Sequence, residues 1–152
     1  KVYPRHRLGG PLPRWYKCLG ITRHNHLLMD SPMIQVILAT SILYLIQLML
    51  PGALKKRAGE KVADRATKAL HNLRESLPVF FVFAVLSIQM NVADNLQVAI
   101  AWLVLRVLFV AAYSSGINTK PANESGYEAQ PIRSLFWVLS IVCLITMGAN
   151  LA

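Results

Sequence analysis

Little of this sequence is charged. Asp, Glu, Lys and Arg make up 15% of its 152 residues, where a soluble domain carries about a quarter. Acidic side chains are the scarcest: seven stand against sixteen basic ones, for a formal net charge of +9. The two cysteines, Cys18 and Cys143, are too few for a disulfide framework. Cys143 sits inside an apolar run and reads as a packing residue. The pair His24 and His26 has neither thiol nor carboxylate company, so no metal centre is expected. No internal repeat is present, and no cleavable-signal pattern opens the chain. The basic residues border apolar runs, which argues against nucleic acid as their partner. Anionic lipid or an anionic ligand fits them better.

What the chain has instead is apolar residues, 55% of the total, gathered into four clusters. These run from about Pro32 to Leu50, Leu77 to Met90, Leu96 to Tyr113 and Ile132 to Leu151. A helix needs about 20 apolar residues to cross the hydrocarbon core. The first, third and fourth clusters come close to that. The second is shorter but continues the helical pattern of residues 62–76. The near-absence of charge inside the clusters disfavours the alternative, a soluble bundle of buried helices. The expected fold is all-α, an integral membrane four-helix bundle that crosses the membrane several times. Whether that membrane is a bacterial inner membrane or an organelle membrane stays open.

Two parts are expected, an irregular basic arm over residues 1–30 and the helical domain over residues 31–152. Pro4, Pro11, Pro13 and Gly9-Gly10 break any helix in the arm. Arg14-Trp15-Tyr16-Lys17 mixes cations and aromatics as interfacial anchors do. A solvated tail is the alternative. Six Lys and Arg lie in residues 1–28 and seven in residues 55–74. These groups flank the first span, so the positive-inside rule gives no clean orientation. The loop Asn91–Asn95 lacks Lys and Arg, which tips the 55–74 loop towards the cytoplasmic or equivalent side. Ser31-Pro32 predicts the start of the first span and Pro51-Gly52 its end. Pro78 falls near the membrane entry of the second helix, Gly116 follows the third, and Pro131 opens the fourth. Asn123-Glu124-Ser125 fits the glycosylation pattern, which is common by chance.

The chemistry gathers at one membrane face. Arg65, Lys68, Asn72 and Glu75 follow at steps of three, four and three, so a helix places them on one side. Four spans bring Lys68, His71, Asn72 and Glu75 near Tyr113, Arg133 and Ser134. Arg and Lys suit carboxylates, Glu75 suits an ammonium group, and a guanidinium or hydroxyl near a thiol favours its thiolate. Such a constellation would suit a small peptide with carboxylates, an amine and a thiol. Contact with lipid headgroups is the bland account of the same residues. Arg106, deep in the third span, costs about 3 kcal/mol unless paired or hydrated. Glu75 is its expected partner, in a pair that can be structural only.

Arg65-Ala66, Lys68-Ala69, Asn72, Glu75 and Pro78 resemble the second-helix signature of the MAPEG family, membrane-associated proteins of eicosanoid and glutathione metabolism. Arg106, Tyr113 and Pro131-Ile132-Arg133-Ser134 resemble the third- and fourth-helix pattern of its prostaglandin E synthase and microsomal glutathione transferase branch. The resemblance covers about residues 31–152. It implies a homotrimer with glutathione bound between subunits near one membrane face. By matching position, Lys68, Asn72, Glu75, Tyr113, Arg133 and Ser134 would line that site beside His71. Arg133 would stabilise the thiolate, with Ser134 and Tyr113 as neighbouring hydroxyls. Three departures stand out. Lys68 replaces a usual Arg, so a bidentate carboxylate clamp is lost. Phe109 stands where the prostaglandin branch has His. The loop of residues 118–130 and the arm of residues 1–28 are additions. Two classes follow: a glutathione-dependent transferase or peroxidase for lipophilic electrophiles, or a non-catalytic subunit docked by its arm in a larger membrane complex.

Overall fold

A computed structural model describes residues 31–116 and 130–152. The expected arm and most of the loop before Pro131 lie outside the described residues. Four helices follow in order: α1 (Pro32–Ala58), α2 (Glu60–Gln89), α3 (Asn95–Ser115) and α4 (Pro131–Ala149). All four are long and apolar enough to cross a membrane. At 1.5 Å per residue, the 21 residues of α3 and 19 of α4 give about 30 Å, the thickness of the hydrocarbon core. The 27 residues of α1 and 30 of α2 give about 40–45 Å and overshoot it. The overshoot is the helical hairpin around Gly59.

The first span does not end at Pro51-Gly52. It runs on to Ala58 with Pro51 inside it. Pro51 forfeits one backbone hydrogen bond. The segment Ala53-Leu54-Lys55-Lys56-Arg57-Ala58 consists of strong helix formers. Its cations also occupy the last turn, where they complement the helix dipole. The break falls instead at Gly59, whose φ of 92° and ψ of 172° belong to glycine. Pro78 likewise sits inside α2 without ending it.

Each helix turns one stripe inward. On α2 it is Ala63, Ala66, Ala69, Leu73, Ser76, Leu77, Phe80, Ala84 and Ser87. The small side chains in that stripe let a neighbouring backbone come close, as helix pairs in membranes require. On α3 the stripe is Asn95, Ala99, Trp102, Arg106 and Phe109, at steps of four and three. Phe80 and Trp102 stack at 4.1 Å between centroids with 9° between planes. Leu73, Leu77, Leu144 and Met147 complete the core around them, with Met33 and Val36 from α1. The opposite stripes are exposed and apolar, among them Leu45, Ile46 and Met49 on α1, Val82 on α2, Val104 on α3 and Ile145 on α4. Exposed apolar surface of that extent suits lipid or a neighbouring membrane helix.

Charge is segregated along the bundle axis. The connection between α1 and α2 carries Lys55, Lys56, Arg57 and Lys61 at one end, with Arg133 at the start of α4. At the other end, Asp94 is the one charged side chain among the described residues. We call the first end the basic face. The other end is tied by a polar knot. Asn95 donates to Ser87 Oγ (2.7 Å) and to the Met147 carbonyl (3.1 Å), and accepts from Asn150 Nδ2 (2.8 Å).

Candidate functional site

A cavity of about 260 Å³ opens at the basic face, lined by Lys68 and Asn72 of α2, Phe109 and Tyr113 of α3, and Arg133, Ser134 and Trp137 of α4. Each of these three helices contributes a pair four residues apart, one turn of helix pointing the same way. Five of the residues singled out in the sequence meet here: Lys68, Asn72, Tyr113, Arg133 and Ser134. His71 and Glu75 are exposed and are not among the lining residues. Trp137 was not anticipated. Its spacing from Arg133, one turn further along α4, is the signal that would have found it.

The cavity lining mixes polar and aromatic side chains. The Arg133 guanidinium stands over the Tyr113 ring, 4.8 Å from its centroid, a cation–π arrangement that fixes a long side chain. Tyr113 leans in turn on Phe109, with centroids 5.8 Å apart. Arg133 also lies in the first turn of α4, where the helix dipole adds positive potential. The Ser134 hydroxyl donates to the Gln130 carbonyl at 3.3 Å, so its oxygen remains an acceptor. Lys68 Nζ meets Asp64 Oδ2 at 2.7 Å, with both side chains more than half exposed. Such a pair is worth little and yields readily to a ligand carboxylate.

Behind the cavity lies Arg106, 1% exposed. It is buried in the bundle, as the cost of a guanidinium in lipid demands. The expected contact ion pair with Glu75 does not form within 4 Å: Glu75 is exposed, and its carboxylate acts on the guanidinium through space only. Arg106 Nη1 instead donates to Asn72 Oδ1 at 2.6 Å. Glu75 lies one turn further along α2, with its side chain on the exposed flank of the helix. The guanidinium is also flanked by the rings of Trp102 and Phe109, at 5.4 and 5.9 Å. Among the described residues, no group of three or more His, Cys, Asp or Glu side chains is gathered as a metal site.

The arrangement offers cations, an amide and hydroxyls to an anionic ligand, with an aromatic wall beside them. A family model described as the MAPEG family matches residues 33–152. No curated protein and no solved structure gives a match to the chain. The matched segment takes in all four membrane-length helices, from the second residue of α1 onward, and every residue of the cavity wall. The chain is an integral, multi-pass membrane protein and belongs to the MAPEG family.

Proposed function

We propose that the cavity at the basic face binds glutathione, and that the protein is a glutathione-dependent transferase or peroxidase acting on a lipophilic electrophile. The observation that carries this reading is the Arg133 guanidinium held over Tyr113 in the cavity wall. The donor set fits the ligand. Lys68 and the Asn72 amide suit carboxylate and peptide oxygens. Tyr113 and Ser134 supply hydroxyls near Arg133.

Glutathione supplies a thiol nucleophile. The chain's task is to orient that thiol and favour its ionised form. Arg133, aided by the N-terminus of α4, stabilises negative charge at the sulfur. Phe109 and Trp137 make the aromatic wall, and Trp137 is exposed, so in this reading an electrophile dissolved in the bilayer meets the site there. No nucleophile from the protein is needed. The single-chain cavity of about 260 Å³ falls just below the range of about 300–1,000 Å³ usual for small-molecule sites. In this reading a second copy completes the site within a homotrimer, and Glu75 meets the ligand's amino group on the exposed flank of α2.

Calorimetric titration of the detergent-purified protein with glutathione tests the reading. Saturable binding at millimolar concentration or tighter, weakened by Arg133→Ala, is expected. Absence of heat from the intact assembly would reject it. The protein would then read as a non-catalytic membrane subunit, with residues 1–28 as the docking arm to a larger complex.

A further inference from the structure

We propose that Arg106 is a positioning residue, which holds the Asn72 amide so that its Nδ2 donors are presented to the cavity and select an acceptor group, a carboxylate or peptide carbonyl, in the ligand. The inference rests on the binding reading above and adds the polarity of one subsite to it. A guanidinium has donors and no acceptor. It can therefore bond only the oxygen of an asparagine amide. Arg106 Nη1 does so at 2.6 Å, and the flipped amide would set two donors against each other. Asn72 is half-buried and lines the cavity. With its oxygen committed to Arg106, its two N–H groups are what remains for a ligand.

Arg106 is itself immobilised. It is 1% exposed, flanked by Trp102 and Phe109. Its Nε and Nη2 have no hydrogen-bond partner among the described residues. A buried charge with two unanswered donors is a poor device for stability alone, since an apolar side chain would pack there without that penalty. What the charge supplies is a fixed orientation for one amide. Lys68 and Arg133 line the same cavity, so three donor groups converge on it, which suits a carboxylate and repels an amine.

The test pairs Asn72→Asp with Arg106→Lys and Arg106→Leu. Aspartate keeps an acceptor for Arg106 and makes the bond charge-assisted, but it turns an anionic oxygen towards the ligand. The thermal midpoint of Asn72→Asp should hold or rise, while its dissociation constant for glutathione rises about tenfold or more. Arg106→Leu should weaken binding as well, and Arg106→Lys, which still donates to the amide oxygen, should restore part of it. Glutarate serves as a carboxylate probe that carries neither thiol nor amine. If the wild type binds glutarate and not glutathione, and Asn72→Asp binds neither, the positioning role stands and the glutathione reading falls. If the wild type binds glutathione and Asn72→Asp binds it equally well, the positioning role falls alone. Binding of neither probe by the wild type overturns both. A ligand-free double-mutant cycle of Arg106→Leu and Asn72→Leu should show coupling in thermal stability, and strict additivity would also overturn the proposal.

Discussion

At the scale of single residues, polar groups inside this bundle do two different jobs. Asn95 is fully satisfied. Its amide gives two hydrogen bonds and takes one, joining the ends of α2, α3 and α4. Arg106 is only partly satisfied and stands behind the cavity. Bonds between membrane helices are worth about 0.6 kcal/mol each on average. Asn95→Ala removes three and should cost about 2 kcal/mol, seen as a lower thermal midpoint in detergent. Glutathione affinity should stay within about twofold of wild type, because the knot lies at the end of the bundle opposite the cavity. An unchanged midpoint would mean that the knot carries no stability.

At the scale of elements, the hairpin between α1 and α2 hangs on one backbone position. Gly59 adopts φ 92° and ψ 172°, and a Cβ there would meet no neighbour within 4 Å. Any penalty for Gly59→Ala is therefore conformational, about 1–3 kcal/mol, and not steric. Limited proteolysis at the hairpin should accelerate in that variant. An unaltered cleavage rate would show that the turn has other conformations open to it. The helices themselves were legible in the sequence because apolar clusters of membrane length leave few alternatives. Their ends were less so. Pro51 reads as a stop, yet a single lost hydrogen bond is outweighed by the helix-forming run that follows it. The site was partly legible for a similar reason. Helical spacing put Lys68 and Asn72 on one face and topology brought Arg133 and Tyr113 to the same end. Spacing along α2 could not tell which of Asn72 and Glu75, one turn apart, would face Arg106. The structure shows the neutral amide turned inward to Arg106 and the carboxylate on the exposed flank of α2.

At the scale of the whole molecule, four crossings put the α1–α2 hairpin and the start of α4 on one side and the α2–α3 turn on the other. In a background without Cys18 and Cys143, single cysteines at Lys56 and Ser115 should react with an impermeant thiol reagent from the same side, and one at Asn91 from the opposite side. We propose, from the density of Lys and Arg in the hairpin, that the basic face is the cytoplasmic or equivalent one, which the same labelling in sealed vesicles of known orientation tests. The basic face carries the cavity, and under the proposed function a water-soluble thiol would enter from that side and an apolar electrophile from the bilayer. The account turns on Arg133 ionising that thiol. Its most direct test is the ultraviolet difference spectrum of the detergent-purified assembly with saturating glutathione at neutral pH. A thiolate absorbance band in the wild type, lost in a folded Arg133→Ala protein that still binds glutathione more weakly, is the expected result. A band of equal strength in both proteins would contradict the account.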